Sequence, residues 1–407
     1  MPAFAIMTTT LEAMLEKLKT QVLAEADAHR AELVELSLRI HANPELGLQE
    51  VKASQWLAGY LEGAGFSVQK GVCGFPTAFR GSYGEGSPVI AFLAEYDALP
   101  ELGHACGHNV IAAAAVGAGV ALKPAVDQLG GTVLVIGTPS EEVHGCKATM
   151  ADRGAFDGVD AAMMVHPGNK DVAASPALAC APLEVEFFGR PAHAAAYPER
   201  GANALDAIVL AYTNVNALRQ HVRESSRIHG IILKGGEAPN IIPAYTQARF
   251  LVRAEDMHYL EELKEKVLDC FLAAALATGC RLEYTWGDVT YAPMLPNPVL
   301  VELFVANMRA LGRGSFTTES QYGLGSTDMG NVSQVAPGIH PYVAIAPPDV
   351  LEHTPQFAAA AGSGDGMQGM MDGARALALT GLDLLADPAL VDRVREEFLA
   401  AKPVPGG

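Results

Sequence analysis

The chain has 407 residues, more than one hydrophobic core usually supports, so two structural units are expected. Half of the residues are apolar and 18% are charged, which is typical of a folded globular protein and excludes a disordered chain. The formal net charge of -18 repels phosphate backbones and anionic membranes. Composition therefore argues against nucleic acid and membranes as partners.

The N-terminal segment and the cysteines indicate the compartment. No basic residue precedes Lys17, so the segment lacks the positively charged start of a secretory signal. The longest apolar run, residues 110–122, has the length of a buried helix and is shorter than the roughly 20 residues of a membrane span. None of the six cysteines lies in a CxxC pair, which indicates reduced thiols. We expect a cytoplasmic protein.

Helical patterns alternate with short apolar strands from about residue 31 to residue 166. The strands are SPVIAFLAEYD, GGTVLVIGTPSEE and VDAAMMVHPGN. Nearly continuous apolar strands separated by helices are typical of a buried, mostly parallel sheet. The first part of the chain is therefore predicted to be an α/β domain.

The pattern changes after Leu178. The segments LEVEFFG, NALDAIVLAYTNVNALRQHV, RIHGIILKG, TQARFLVRA, YLEELKEKVLDCFLAAAL and CRLEYTW read as βαββαβ, the ferredoxin-like order. The α/β pattern resumes at Pro293, with a helix near 299–311, a strand at PYVAIAP and a long helix over about 366–385. We predict a discontinuous larger domain, residues 1–178 and 293–407, into which residues 179–292 are inserted.

Polar side chains follow three of the predicted strands. Asp97 follows the first strand, Glu141 and Glu142 follow the second, and His166 closes the third. Ligands of open α/β sheets bind outside the carboxyl ends of the strands. These side chains are therefore expected to converge on one edge of the sheet.

The stretch GHACGH places Cys106 and His108 at the start of the helix after the first strand, and LEHTP supplies His353 from a loop. Thiolate, imidazole and carboxylate are the ligand types of a zinc-like ion. Taken alone, each has a structural alternative: a buried thiol beside a capping histidine, an acidic first turn of a helix, or a histidine that ends a strand. Their conjunction favours a metal site.

Several blocks together resemble the M20 metallopeptidase and amidohydrolase family. They are HANPELGLQE, AEYDALPELGHACGHN, GTPSEEVHGCKATM, GRPAHAAAYP, GGEAPNIIPAY and EHTP, in this order between about residues 33 and 385. They are most similar to subfamily D, with its aminobenzoyl-glutamate hydrolases and dipeptidase-like proteins. The resemblance also implies that the inserted unit is a lid and dimerisation domain.

The resemblance implies a role for each residue of the cluster. Five residues would bind two divalent ions, with zinc expected and manganese or cobalt as alternatives: Cys106 as a bridging thiolate, His108, His166, Glu142 and His353. Glu141 would be the general base, and Asp97 would orient a histidine or the base. His104 has no ligand role in this pattern. Asn109 follows His108 where many members have aspartate, which leaves the support of His108 open.

Three residues of the inserted unit match substrate-contacting positions of the family. Asn240 and Arg253 would bind the terminal carboxylate of the substrate, for which a guanidinium fork is suited. His193 in GRPAHAAA would reach the active site of a partner subunit and stabilise the oxyanion. The resemblance thus implies a homodimer.

Two alternatives from other classes stay open. A non-catalytic small-molecule binder could keep the fold, although it would not need a base beside the ligands. A serine hydrolase would need a GxSxG elbow, and GLGST at 323–327 has a different spacing. We predict a metal-dependent amidohydrolase that cleaves an N-acyl or aminobenzoyl amino acid, or a dipeptide, with a free carboxylate.

Overall fold

The computed structural model describes residues 2–314, 316 and 325–402, with the side chains of the N-terminal helix described from residue 13 onward. The helices are α1 Pro2–Ala28, α2 Arg30–His41, α3 Val51–Gly63, α4 His108–Leu129, α5 Glu141–His144, α6 Cys146–Asp152, α7 Ala204–Leu218, α8 Met257–Thr278, α9 Pro298–Ala310, α10 Met329–Val335, α11 Pro355–Ala361, α12 Gly364–Ala386 and α13 Pro388–Ala401. The strands are β1 Ser67–Lys70, β2 Phe79–Glu85, β3 Val89–Ala94, β4 Gly131–Gly137, β5 Ala161–Met163, β6 His166–Gly168, β7 Ala179–Phe188, β8 Arg227–Lys234, β9 Tyr245–Ala254, β10 Arg281–Trp286, β11 Gly338–Ile339 and β12 Tyr342–Ala344.

The described residues form two compact units. The first takes its residues from Met1–Pro176, Met294–Gly323 and Asn331–Gly407, and the second from Ala177–Pro293 and Leu324–Gly330. The second unit thus includes a short segment that the sequence analysis assigned to the larger domain. Hydrogen bonds attach this segment to the second unit, since the backbone N–H of Leu178 donates to the carbonyl of Gly325, 2.8 Å away.

The first unit contains a six-stranded sheet in the order β1-β2-β4-β3-β5-β11. The neighbours β4, β3, β5 and β11 pair in parallel, and β1 and β2 form an antiparallel edge. The apolar residues of β3 and β4 are buried almost without interruption, as expected for strands covered by helices on both faces. The predicted mostly parallel α/β fold is confirmed.

The third predicted strand is broken, so His166 does not close it. β5 ends at Met163, and His166 begins β6, which pairs in parallel with β12 in a separate two-stranded sheet. The chain leaves β5 because residues 164–166 follow the segment after β11: the N–H of Met164 donates to Ile339 and that of His166 to Pro341. His166 consequently starts a strand, with its side chain buried.

Helix α4 forms the centre of the first unit. Residues 110–122 are all buried, which confirms the prediction of a core helix. Its glycines allow close packing, because a Cβ at Gly119 would lie 2.4 Å from Cγ2 of Val135 in β4. α4 is also the one helix of the described part that is long and apolar enough to cross a membrane, but 89% of its most apolar window is buried within the protein.

The second unit has the predicted βαββαβ order. Its sheet runs β10-β7-β9-β8 with every pair antiparallel, which is the ferredoxin-like arrangement. Alternate residues of β7 and β9 point inward and are buried, and the helices α7 and α8 contribute the rest of a separate hydrophobic core. β8 lies at one edge of the sheet.

Candidate metal centre

The polar side chains of the first unit lie where two neighbouring parallel strands end. β3 ends at Ala94, directly before Glu95 and Asp97, and β4 ends four residues before Glu141. Helix α4 begins at His108 beside these ends. The carboxyl ends of parallel strands share one edge of the sheet, so segments that are distant in sequence meet there.

The structure brings the six side chains implied as ligands and base into contact. The donor atoms form three groups, and within each group they all lie within 4.8 Å of one another. The groups are Cys106, His108 and His166; Cys106, Glu142 and His353; and His108, Glu141 and Glu142. Cys106, His108 and Glu142 each belong to two of the groups, so the three groups form one connected cluster.

The separations between donor atoms match those around a common ion. The Sγ of Cys106 lies 3.4 Å from Nε2 of His166, and Oε1 of Glu142 lies 3.5 Å from Nε2 of His353 and 3.9 Å from Nε2 of His108. Ligands bound at about 2.0–2.3 Å around a tetrahedral ion lie roughly 3.3–3.8 Å apart. The cluster thus has the dimensions of a metal site.

Asp97 holds two of these residues in place. Its Oδ1 accepts a hydrogen bond from Nδ1 of His108 at 2.9 Å, and its Oδ2 accepts one from the backbone N–H of Glu142 at 3.0 Å. The Nε2 of His108 and the Oε1 of Glu142 are buried without a well-formed hydrogen bond among the described residues. Buried polar atoms are normally paired, so these two atoms fit a bound cation. Asp97 also provides the support of His108 that the sequence left open.

Charge in the cluster also fits a cation. Burial raises the pKa of the Cys106 thiol well above its usual range, so a thiolate at this position needs a positive partner. Burial lowers the pKa of His166 to about 4, which keeps its imidazole neutral, and its Nδ1 lies 2.7 Å from the carbonyl of Pro167. Its Nε2 therefore faces Cys106 with a lone pair. Neutral imidazole and thiolate are the forms that bind metal.

Two non-glycine residues with left-handed backbone flank the cluster. Ser140, directly before Glu141, has φ 55°, and His353 has φ 62°. Such conformations cost about 1–3 kcal/mol and persist where the surrounding structure holds them. The N–H of His353 donates to the carbonyl of Ala105 at 2.9 Å, and the N–H of Ser140 donates to Oε1 of Glu50 at 2.8 Å. These bonds hold the site loops in place.

Glu50 should make the free energy of unfolding depend on pH. This carboxyl is fully buried, and burial is the largest cause that raises its pKa to about 7. A raised pKa in the folded state means that the protonated form stabilises folding, and this stability is lost as pH rises from the unfolded value of about 4.5 through 7.

Glu50→Gln keeps the shape of the side chain and removes its titration. Relative to the wild type, the metal-free variant should gain up to about 3 kcal/mol in unfolding free energy between pH 5 and pH 8. Urea unfolding at both pH values measures this gain; a difference independent of pH would contradict it.

The sequence analysis missed an ion pair beside the cluster. Oε1 of Glu95 lies 2.5 Å from Nζ of Lys147, and both side chains are fully buried; Oε2 of Glu95 lies 3.4 Å from Nε2 of His108. A signal for Glu95 was present, because it stands two residues before Asp97 at a strand end, on the same side of the chain. Lys147 carried no such signal.

His340 was also missed. Its buried ring packs edge-on against the ring of His166, with 5.3 Å between the centroids, and burial lowers its pKa well below the usual value. It follows β11 directly, at the same kind of strand end as the predicted residues. His104, for which the sequence predicted no ligand role, is buried beside His41, with 6.2 Å between the ring centroids. It is absent from all three groups of donor atoms.

The three predicted residues of the second unit do not form one group. His193 and Asn240 are exposed neighbours: His193 pairs with Ile241 in an isolated bridge, and the N–H of Ala194 donates to the carbonyl of Asn240. Arg253 lies at the opposite end of β9, roughly 26 Å along the strand from its first residue. Within one chain, Asn240 and Arg253 therefore do not form a single clamp. Of the segment GLGST at 323–327, residues 323 and 324 lie outside the described residues.

Thiolate, imidazole and carboxylate donors at the strand ends of an α/β sheet, with a further carboxylate beside them, define a metal-dependent hydrolase. Residues 91–361 match the model of Peptidase family M20/M25/M40. The chain belongs to this family, and the resemblance found in its motifs is confirmed.

Relatives of known activity agree with this assignment. The Xaa-Arg dipeptidase of Mus musculus is 42% identical, over 96% of this chain and 94% of its own. One of the subunits of the p-aminobenzoyl-glutamate hydrolase of Escherichia coli is 34% identical, over 72% of this chain and 65% of its own. A dinuclear metal-binding M20 peptidase from Bacillus subtilis has the same fold, with a TM-score of 0.67 and 19% identity over 88% of this chain and 99% of its own.

The protein is therefore a metal-dependent hydrolase of amide or peptide bonds that acts on a small, peptide-like substrate. As a member of this family with a cluster of metal-binding donors, it depends on a divalent metal. The prediction of an M20 amidohydrolase or dipeptidase is confirmed, and the alternative of a non-catalytic binder is not favoured.

Proposed function

We propose that the protein hydrolyses dipeptides whose C-terminal residue is basic and carries a free carboxylate. The cluster of Cys106, His108, Glu141, Glu142, His166 and His353 in the first unit carries this proposal. The 42% identity to an Xaa-Arg dipeptidase over nearly the whole chain supports the substrate class. N-acyl and aminobenzoyl amino acids are the other substrates to which the motifs point.

Each residue of the cluster has a distinct task in this proposal. Cys106, His108, His166, Glu142 and His353 would hold the divalent metal, and Asp97 keeps His108 and Glu142 in place. Bound divalent ions lower the pKa of a coordinated water towards neutrality and polarise the substrate carbonyl. Glu141 accepts the proton of the attacking water and delivers it to the leaving amine.

Zinc is the proposed ion, because a thiolate and three imidazoles favour it over harder cations, with manganese or cobalt as alternatives. Cys106 can bind as a thiolate only where it stays reduced, and it is a free thiol. We therefore propose a cytoplasmic location. Fractionation of the native host would test the location, and elemental analysis of the purified protein would test the metal.

A turnover screen tests the substrate class. Metal-loaded protein would be incubated with Ala-Arg, Ala-Lys, Ala-Glu, N-acetyl-arginine and aminobenzoyl-glutamate, and released amine would be measured. We expect the highest kcat/KM for the basic dipeptides, and loss of turnover with a chelator. Higher kcat/KM for aminobenzoyl-glutamate would replace the proposed substrate, and absence of all turnover would overturn the proposed function.

Labelling of Cys106 tests its role as a ligand. A thiolate bound to metal is shielded, so a thiol reagent should modify Cys106 slowly in the metal-loaded protein and at least about tenfold faster after chelation. Cys280 is an internal control, because it is equally buried but belongs to the core of the second unit. Mass spectrometry of the labelled peptides gives both rates. Equal rates for Cys106 with and without metal would rule out ligation.

We also propose that the protein works as a homodimer. Edge strand β8 exposes three consecutive apolar residues, Ile231, Ile232 and Leu233, at 61%, 40% and 44%. An unpaired, apolar edge is suited to pairing with a second chain. His193 and Asn240 lie together, apart from Arg253, whose Nε is buried without a hydrogen-bond partner among the described residues. In the proposed dimer, His193 and Asn240 of one chain act with the metal centre of the other.

Subunit mixing tests this arrangement. His193→Ala and Glu141→Ala should each abolish most activity, the first by removing an oxyanion donor and the second by removing the base. If His193 acts across the dimer, one site of each heterodimer keeps both groups, so random exchange should restore about a quarter of wild-type activity. If activity does not recover although subunit exchange has been demonstrated, His193 acts within its own subunit or takes no part in the reaction.

A further inference from the structure

Glu352 is a half-buried carboxylate without a basic partner. No lysine or arginine side chain within the described ranges forms an ion pair with it. A carboxylate is rarely buried unless it is paired. This side chain therefore lacks a cation that a ligand could supply.

Glu352 lies on the face of the small sheet that carries the metal ligand His166. Within β6, side chains two residues apart point to the same face, so position 168 shares the face of His166. A Cβ at Gly168 would lie 3.5 Å from Oε1 of Glu352 and 2.9 Å from the ring of Tyr342. The glycine thus leaves room for the carboxylate and the ring. Gly168, beside which this carboxylate lies, is two residues or about 7 Å along the strand from His166.

Tyr342 completes this arrangement. It pairs with His166 across the two strands, and the ring centroids of the two residues are 4.7 Å apart. The tyrosine ring and the Glu352 carboxylate both border the space above Gly168. A guanidinium is bound well by such a pair, since it can form two parallel hydrogen bonds to a carboxylate and stack on an aromatic ring.

We propose that Glu352, with Tyr342 and Gly168, is the subsite that binds the cationic side chain of the substrate's C-terminal residue. This inference rests on the proposed dipeptidase function and assigns a specificity residue to it. An extended arginine side chain places its guanidinium about 7 Å from Cα, so a substrate held at the metal ligands can reach a carboxylate about two strand residues away. The α-ammonium group of the N-terminal residue is the other possible cation, but it lies only two bonds from the reacting carbonyl carbon and would remain close to the metal ligands.

Substrates that differ in one charge test the subsite. The kcat/KM of wild type, Glu352→Gln and the control Asp349→Asn would be measured on Ala-Arg, on Ala-citrulline, which has the same shape without the charge, and on N-acetyl-arginine, which lacks the α-ammonium. Asp349 is an exposed carboxylate of the same loop. Glu352→Gln should lose about 10- to 100-fold on both arginine substrates and change less than about threefold on Ala-citrulline. Asp349→Asn should resemble the wild type.

The remaining outcomes separate the explanations. Equal losses of Glu352→Gln on Ala-Arg and Ala-citrulline, or a loss of bound metal, would mean that Glu352 supports His353 and would overturn the subsite. A loss on Ala-Arg that is absent on N-acetyl-arginine would assign the carboxylate to the α-ammonium and also overturn it. Glu352→Lys should shift preference from Ala-Arg towards Ala-Glu, which a structural role does not predict. If the wild type cleaves none of these substrates, the proposed function is overturned, and the subsite that rests on it is overturned with it.

Discussion

Replacement of Glu141 by alanine should lower kcat by about a hundredfold or more while the bound metal stays at its wild-type level. Glu141 stands directly after the left-handed Ser140, with its carboxylate in one group with His108 and Glu142. In the proposed reaction it carries a proton and binds no ion in the resting state, so its loss should act on the chemical step. Steady-state kinetics and elemental analysis of the same preparation measure both quantities.

Glu142→Ala is the matched control, because the two glutamates are adjacent and differ only in role. Oε1 of Glu142 lies 3.5 Å from Nε2 of His353 and 3.9 Å from Nε2 of His108. Its removal therefore deletes a donor atom that lies beside two other proposed ligands. This variant should lose metal as well as activity. An equal loss of metal from both variants would show that the roles within the pair are assigned wrongly.

Asp97→Asn should weaken metal binding by about 10- to 100-fold, although Asp97 is not itself a proposed ligand. Its two oxygens accept hydrogen bonds from Nδ1 of His108 and from the N–H of Glu142. Asparagine has one acceptor, so its NH2 group must face one of these two donors. Burial opposes the charge of Asp97, but the adjacent His108 lowers its pKa, and the substitution also removes this charge.

Competition with a chromogenic chelator measures the affinity of the Asp97→Asn protein. Asp127→Asn is a suitable control, because Asp127 accepts a surface hydrogen bond from Tyr83 and belongs to none of the metal-site groups. Unchanged affinity in Asp97→Asn together with reduced kcat would instead place Asp97 in the proton-transfer step.

The fold and the cluster could be predicted because both depend on local patterns. The run 110–122 is apolar on every side, which indicates a core helix, and βαββαβ can be read from alternating periods of two and 3.6 residues. Cys106, the pair Glu141 and Glu142, and His353 were recognisable as candidate ligands because their side chains contrast with the apolar or loop sequence around them. The family motifs then indicated that they belong to one site.

Features that depend on tertiary pairing could not be predicted. The break between β5 and β6 follows from hydrogen bonds to residues 339 and 341, far along the chain. Lys147 looked like an ordinary residue at the start of a helix, and its burial against Glu95 depends on how β3 meets α6. The separation of Asn240 from Arg253, by contrast, was implied by the strand assignment, since a residue at the end of a ten-residue strand cannot lie beside the loop before it.

The backbone bond from His353 to Ala105 has a consequence for biosynthesis. It joins segments of the first unit on either side of the inserted chain, so the metal centre cannot close until the ribosome has passed residue 353. At about 5–20 residues per second, His353 emerges roughly ten seconds or more after His166. During this interval the nascent chain contains Cys106 and three further proposed ligands without the last imidazole. A chain stalled within the ferredoxin-like unit would therefore lack strand β11 as well as the last ligand, and its incomplete ligand set would be open to the wrong ion or to an oxidant.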